Sequence, residues 1–87
     1  MFSTFYTYIL YSEKIDKYYI GYSADLEKRI EKHNEGGTQS TKNGIPWKIV
    51  YFESFDNKSD AIKREKYLKK MKSRKHIVEL ISKRSSR

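Results

Sequence analysis

The 87-residue sequence contains no cysteine, a single proline and only four glycines. Without thiols there can be no disulfide, no thiolate zinc site and no cysteine nucleophile. Small secreted domains usually depend on such bridges, so a cytoplasmic setting is expected. The glycines (Gly21, Gly36, Gly37 and Gly44) form no phosphate-cradling Gly-rich run. Apolar runs are only a few residues long, far short of the roughly 20 that cross a membrane. The N-terminus, Met1-Phe2-Ser3-Thr4-Phe5, lacks the basic-then-apolar layout of a leader peptide. With 37% hydrophobic residues the core must be small, which excludes a large cofactor cavity. One domain is expected over residues 1–87, with its core at about 5–82 and a basic tail at 83–87.

What the chain does have is positive charge, distributed unevenly. Lys and Arg number 19 against 11 acids, for a net +8. Residues 1–57 hold 7 basic and 8 acidic residues, whereas residues 58–87 hold 12 and 3. All of the excess therefore lies in the last third. A solvated helix face with a basic tail would account for it. So would a surface that contacts phosphates, and nucleic acid is the commonest partner of a small basic protein. Charge sets affinity but not chemistry, so it does not separate a binder from an enzyme. Tyrosine is also clustered, with six of its eight copies in the first 22 residues. A Tyr-rich hairpin and a working hydroxyl cluster are both compatible with that.

Periodicity and turn chemistry divide the chain into six elements. Residues 5–11 and 18–22 are β-branched and aromatic and read as two strands. The short polar link between them makes an antiparallel hairpin. Ser23 reads as the cap of a helix that runs to about Glu35 and stops at Gly36-Gly37. Residues 38–46 read as a loop. Residues 47–55 form a nearly continuous apolar run, expected to be the central strand and buried on both faces. Asp56, Asn57 and Ser59 supply turn and capping groups for a helix at about 59–72. Ser73 can cap a last helix at about 74–84, with Ile77, Val78, Leu80 and Ile81 on its buried side. The expected fold is α+β: a small three-stranded antiparallel sheet flanked by helices, in the order β-β-α-β-α-α.

Three polar residues break the amphipathic pattern. On the first helix, Leu26 and Ile30 mark the apolar stripe, and Glu27, Lys28, Glu31 and Lys32 avoid it. Arg29 and His33 border the stripe, and their i, i+4 spacing lets both reach one place. A snorkelling arginine and a packed histidine would look the same. On the next helix, Glu65 falls inside the stripe set by Ala61 and Leu68. A buried carboxylate is costly unless it meets a cation, which could be Arg29, a lysine or a metal ion. Mg²⁺ needs only one or two protein carboxylates and otherwise keeps water and phosphate oxygens. In the hairpin, Tyr8 and Tyr19 share a face in every register whose paired positions have an odd sum. A link centred between Glu13 and Lys14 would set them directly opposite, but sequence does not choose the register.

Together these residues resemble the GIY-YIG nuclease family, in its small single-domain form, and the nuclease domain of the excision-repair incision protein. Tyr8 is followed by Tyr19-Ile20-Gly21, then by Arg29 in Asp25-Leu26-Glu27-Lys28-Arg29, then by His33-Asn34. Pro46-Trp47-Lys48-Ile49-Val50-Tyr51 precedes Glu65 in Ala61-Ile62-Lys63-Arg64-Glu65. The likeness spans about residues 5–82. The first motif reads Tyr6-Thr7-Tyr8, without its usual glycine and isoleucine, and the polar residue that some members carry beyond the glutamate has no match.

The resemblance implies roles for these side chains. Tyr8 would be the general base or position the water, with its hydroxyl made more acidic by a metal or a neighbouring cation. Tyr19 would hydrogen-bond the phosphate or the water. Arg29 would stabilise charge on the phosphate oxygens, and His33 would assist proton movement or bind phosphate. Glu65 would hold one Mg²⁺ or Mn²⁺ ion. Gly21 would keep the backbone clear for substrate, or mark a strand bulge. Lys63, Arg64, Lys69, Lys70 and Lys72 surround Glu65 as candidate phosphate contacts. The implied activity is metal-dependent endonucleolytic cleavage of double-stranded or branched DNA, in a repair or recombination setting, with a partner protein able to supply targeting. A non-catalytic nucleic-acid-binding module and a basic protein-interaction adaptor are the competing readings.

Overall fold

The computed structural model describes residues 4–71 and 73–85. Two antiparallel strands, β1 (Phe5–Ser12) and β2 (Lys17–Ser23), form the hairpin, and helix α1 (Leu26–Asn34) follows. A short 3-10 helix (Gln39–Gly44) leads into β3 (Trp47–Phe55), and helices α2 (Lys58–Met71) and α3 (Arg74–Ser85) complete the order. The α+β class and the β-β-α-β-α-α order are as expected from sequence. The 3-10 helix is not: it lies in the stretch read as loop, where its small polar residues carry no helical period.

The sheet order is β2-β1-β3, so β1 is central and β3 is an edge strand, contrary to the sequence expectation. The apolar run of β3 has a different origin. Its register against β1 shifts between Ile9↔Tyr51 and Leu10↔Ile49, leaving Val50 as an inserted residue. A bulge of this kind re-phases the alternation of side chains. Trp47, Ile49 and Phe52 therefore face one side of the sheet while Val50 and Tyr51 face the other.

Each face of the sheet has its own core. Tyr8, Leu10 and Trp47 are buried against Leu26 and Ile30 of α1. On the opposite face Ile9 and Ile20 pack with Leu68 of α2 and Ile77 of α3, and Leu80 and Ile81 extend that cluster. Val78, expected on the buried side of α3, is 41% exposed, because one stripe of a helix this short meets the sheet.

The helix ends use local chemistry. Asp25, not Ser23, caps α1: its Oδ1 accepts from the Lys28 amide at 3.1 Å. Ser23 sits two residues earlier and accepts from the Asp25 amide instead. At the other end the Gly36 amide donates to the His33 carbonyl and the Gly37 amide to the Lys32 carbonyl. That Schellman closure places Gly36 at φ +80°, where glycine is strongly favoured. Asn57 Oδ1 accepts from the Asp60 amide at the start of α2, and Ser73 Oγ from the His76 amide at the start of α3, as their positions predict. Among the described residues no helix is long and apolar enough to cross a membrane.

Candidate active site

The hairpin pairs Tyr8 with Gly21 and Leu10 with Tyr19. The paired positions have an odd sum, so Tyr8 and Tyr19 share the α1-facing side of the sheet as expected. They are diagonal rather than opposite, because Ser12 pairs with Lys17, which makes the link two residues longer on its β2 side. Gly21 stands directly beside the Tyr8 ring. A β-carbon on residue 21 would lie 2.5 Å from Tyr8 Oη and 2.7 Å from its Cζ. Gly21 therefore makes room for a protein side chain, and no bulge interrupts the β1–β2 pairing there.

Tyr8 is 1% exposed, and its hydroxyl is the hub of the site. Arg29 Nε donates to Tyr8 Oη at 3.3 Å. His33 Nε2 lies 3.1 Å from the same oxygen. The i, i+4 spacing on α1 does bring Arg29 and His33 to one place. His33 is fully buried, and its Nδ1 lies 2.8 Å from Thr41 Oγ1 of the 3-10 helix. Tyr19 is half-buried and meets the His33 ring edge-on at 5.1 Å between centroids.

Burial sets the electrostatics. It pushes the Tyr8 hydroxyl above its ordinary range. The hydrogen bond and charge of Arg29 oppose that shift, while Tyr19 and Glu65 add to it. Within the chain itself, desolvation of the phenolate outweighs the one partly exposed guanidinium. His33 is held below its ordinary value, by burial first and then by the charges of Arg29 and Lys32. The neutral form of the ring is thus favoured.

Glu65 arrives from the other face of the sheet. Ala61 is fully buried, and Thr7 Oγ1 donates to its carbonyl at 2.7 Å. That carbonyl is also the i−4 acceptor for the Glu65 amide, so the bond seats on β1 the helical turn that carries Glu65. The Glu65 side chain is 14% exposed and pairs with Lys69 at 3.0 Å. Of the three cations left open by the sequence, the folded chain supplies the lysine. The Glu65 charge adds to the upward shift of the Tyr8 hydroxyl.

The described residues contain no group of three or more His, Asp or Glu placed to hold a metal ion. The donor chemistry is that of one partly accessible carboxylate. It suits Mg²⁺ or Mn²⁺, which can take a single protein carboxylate and fill its other positions with water and phosphate oxygens. Glu65 would be the ligand, in competition with Lys69.

The basic candidates separate. Lys63 and Lys70 are exposed on α2. Lys69 is engaged with Glu65. Arg64 turns to the sheet, where its Nε and Nη2 donate to Glu53 Oε2 at 3.2 and 3.0 Å, and its guanidinium lies over the Tyr67 ring. Lys72 lies outside the described residues, as do Ser86 and Arg87 of the basic tail.

Two side chains not singled out from sequence support the site. Thr41 is 1% exposed and contacts His33. Asn34 Oδ1 accepts from the Trp47 amide at 2.6 Å and its Nδ2 donates to the Trp47 carbonyl at 3.0 Å, tying the end of α1 to the start of β3. Asn34 stands next to His33 in the recognised motif. Thr41 carries no sequence signal, because its partner is set by chain path.

A family model described as the GIY-YIG catalytic domain matches residues 4–77. The UPF0213 protein CPE1444 of Clostridium perfringens is 46% identical over 81 residues, covering 92% of this chain and 85% of that protein. The UPF0213 protein YazA of Bacillus subtilis is 37% identical over 75 residues, covering 85% and 76%. The solution structure of the UPF0213 protein BH0048 from Bacillus halodurans superposes with a TM-score of 0.55 at 34% identity, covering 91% of this chain and 83% of that one. The chain belongs to the GIY-YIG family, within its small UPF0213 group.

Proposed function

We propose that this protein is a metal-dependent endonuclease that hydrolyses phosphodiester bonds in DNA. Membership of a nuclease family and a nucleic-acid substrate are the coarser part of that reading. The observation that carries the finer part is the contact of the Tyr8 hydroxyl with both Arg29 and His33. A structural tyrosine needs one partner. This one has a cation on its oxygen and a neutral imidazole placed to take its proton.

The chemistry follows from those contacts. The attacking water gives its proton to Tyr8 Oη as the Tyr8 proton passes to His33 Nε2, so Tyr8 never has to exist as a free phenolate. That relay suits a hydroxyl whose ionisation burial disfavours. Arg29 spends Nε on Tyr8 and keeps its Nη donors for the equatorial phosphate oxygens. Tyr19, on the same face, would hydrogen-bond the phosphate or the water. A divalent ion on Glu65 would supply Lewis-acid stabilisation of the leaving oxygen. Exposed Lys63 and Lys70, within the segment of net positive charge, would hold the phosphate backbone.

One observation favours the competing reading of a non-catalytic nucleic-acid binder. Lys69 already neutralises Glu65, as a metal-free scaffold would require. Incubation with supercoiled plasmid and with branched DNA, with and without Mg²⁺ or Mn²⁺, separates the two. The nuclease reading requires metal-dependent nicking that Glu65→Ala abolishes. DNA binding without nicking supports the binder.

A further inference from the structure

His33 can serve Tyr8 in only one of its two neutral forms. Nε2 must be bare to receive the Tyr8 proton, so the ring proton must sit on Nδ1. The group that faces Nδ1 is Thr41 Oγ1, at 2.8 Å. A hydroxyl can donate or accept, so the direction depends on its other partner. That partner is the Thr38 carbonyl, 3.3 Å from Thr41 Oγ1, and a carbonyl only accepts. The Thr41 proton goes to Thr38, and the Thr41 oxygen is left to accept from His33 Nδ1–H. The other end of the chain of bonds agrees. Arg29 Nε–H donates to the Tyr8 oxygen, which leaves the Tyr8 proton available to His33 Nε2.

Thr41 is also held rigidly. It is 1% exposed. Its own carbonyl accepts from the Trp47 indole Nε1–H at 2.7 Å. Ser12 Oγ of β1 donates to the Gly44 carbonyl at 2.6 Å and pins the far end of the 3-10 helix. We propose that Thr41 is a positioning residue of the active site, which holds His33 as the Nδ1–H tautomer so that Nε2 takes the Tyr8 proton. Its consequence for catalysis rests on the nuclease reading above; the tautomer itself does not.

The test uses the full chain, wild type and with Thr41→Val or Thr41→Ser. Two-bond ¹H–¹⁵N correlation spectra of the ¹⁵N-labelled protein report which His33 nitrogen carries the proton. Metal-dependent nicking of supercoiled plasmid reports activity. We expect a protonated Nδ1 and a bare Nε2 in wild type and in Thr41→Ser, with nicking retained by the serine variant. In Thr41→Val, the Nε2–H form should appear and nicking should fall about tenfold to a hundredfold. A wild-type ring protonated on Nε2 overturns the proposal, whatever the variants do. So does a Thr41→Val protein that keeps the wild-type tautomer, or one that changes tautomer and nicks at the wild-type rate. Should Thr41→Val fail to fold, the wild-type spectrum and the Thr41→Ser rescue still decide the matter. If wild type nicks no DNA, the nuclease reading fails, while the ring spectra still test the tautomer.

Discussion

The ring of Tyr8 lies across Gly21, with its hydroxyl oxygen 2.5 Å from where a β-carbon of residue 21 would stand. The two residues are direct partners in the β1–β2 ladder. An extended backbone accepts alanine, so the constraint at position 21 is space. Tyr8 is 1% exposed and held by Arg29 and His33, so the ring has little freedom to withdraw. Gly21→Ala is therefore expected to cost about 1–3 kcal/mol of stability through overpacking. It should lower nicking by more than the stability loss explains, since Oη is displaced from both partners. Chemical denaturation, together with nicking under conditions where the variant stays folded, checks both. Wild-type activity in Gly21→Ala would show that the Tyr8 contacts are dispensable.

Removal of the Tyr8 hydroxyl should separate structure from chemistry. In Tyr8→Phe the ring still fills its place in the cluster with Leu10 and Trp47. The lost hydrogen bonds leave His33 Nε2 without its donor, at a cost of about 1–3 kcal/mol. Nicking should fall by about a hundredfold or more, the usual contribution of a general base. A folded Tyr8→Phe protein with near wild-type rates would remove Tyr8 from the mechanism.

Glu65→Gln changes charge with little change in shape. Its partner Lys69 is half-exposed, so the ion pair itself contributes little. Stability should hold within about 1 kcal/mol, while activity is lost at low Mn²⁺ and only partly regained at high Mn²⁺. Lys69→Ala, which frees the carboxylate, should lower the metal concentration for half-maximal activity. Metal titration of the three proteins reads this directly, and identical curves would take Glu65 out of metal binding.

His33 gives a pH signature. Its folded value lies below the ordinary value of about 6.5. As pH falls, the unfolded chain takes up the proton first. The stability tied to neutral His33 is therefore complete above about pH 6.5 and lost as pH drops through the lowered folded value. Wild type should be measurably less stable at pH 5.5 than at pH 7.5, and His33→Gln should lose that part of the difference. Urea unfolding at the two pH values is the check. Nicking should likewise persist somewhat below pH 6.5 before it declines, because the folded ring stays neutral there.

The basic helix should show itself in salt dependence. Lys63→Ala and Lys70→Ala remove exposed charges from α2. If each contacts a phosphate, each lowers the slope of log affinity against log salt by about 0.9. Arg64→Ala should behave differently. Its guanidinium is held by Glu53, so the change should appear as lost stability more than as a changed salt slope. Fluorescence anisotropy with labelled duplex at several salt concentrations distinguishes the three.

The amino-acid sequence by itself determined the three strands, the three α-helices and their order. Side-chain periodicity and caps report on local structure, so the hairpin, both longer helices and the Asn57 and Ser73 caps were legible. So was the misfit of Arg29, His33 and Glu65 on otherwise amphipathic helices, because a polar residue on an apolar face needs a partner. The identity of each partner was not legible. Thr7 reaches Ala61 and Arg64 reaches Glu53 only because the chain folds back on itself. The centrality of β1, the diagonal placement of Tyr8 and Tyr19, and the bulge at Val50 depend on strand pairing between separated segments. Tertiary structure alone decided that Lys69 pairs with Glu65, that burial shifts the Tyr8 hydroxyl upward, and that Thr41 stands behind His33. Those outcomes follow from desolvation and from directional bonds across the fold, and neither leaves a period in the sequence.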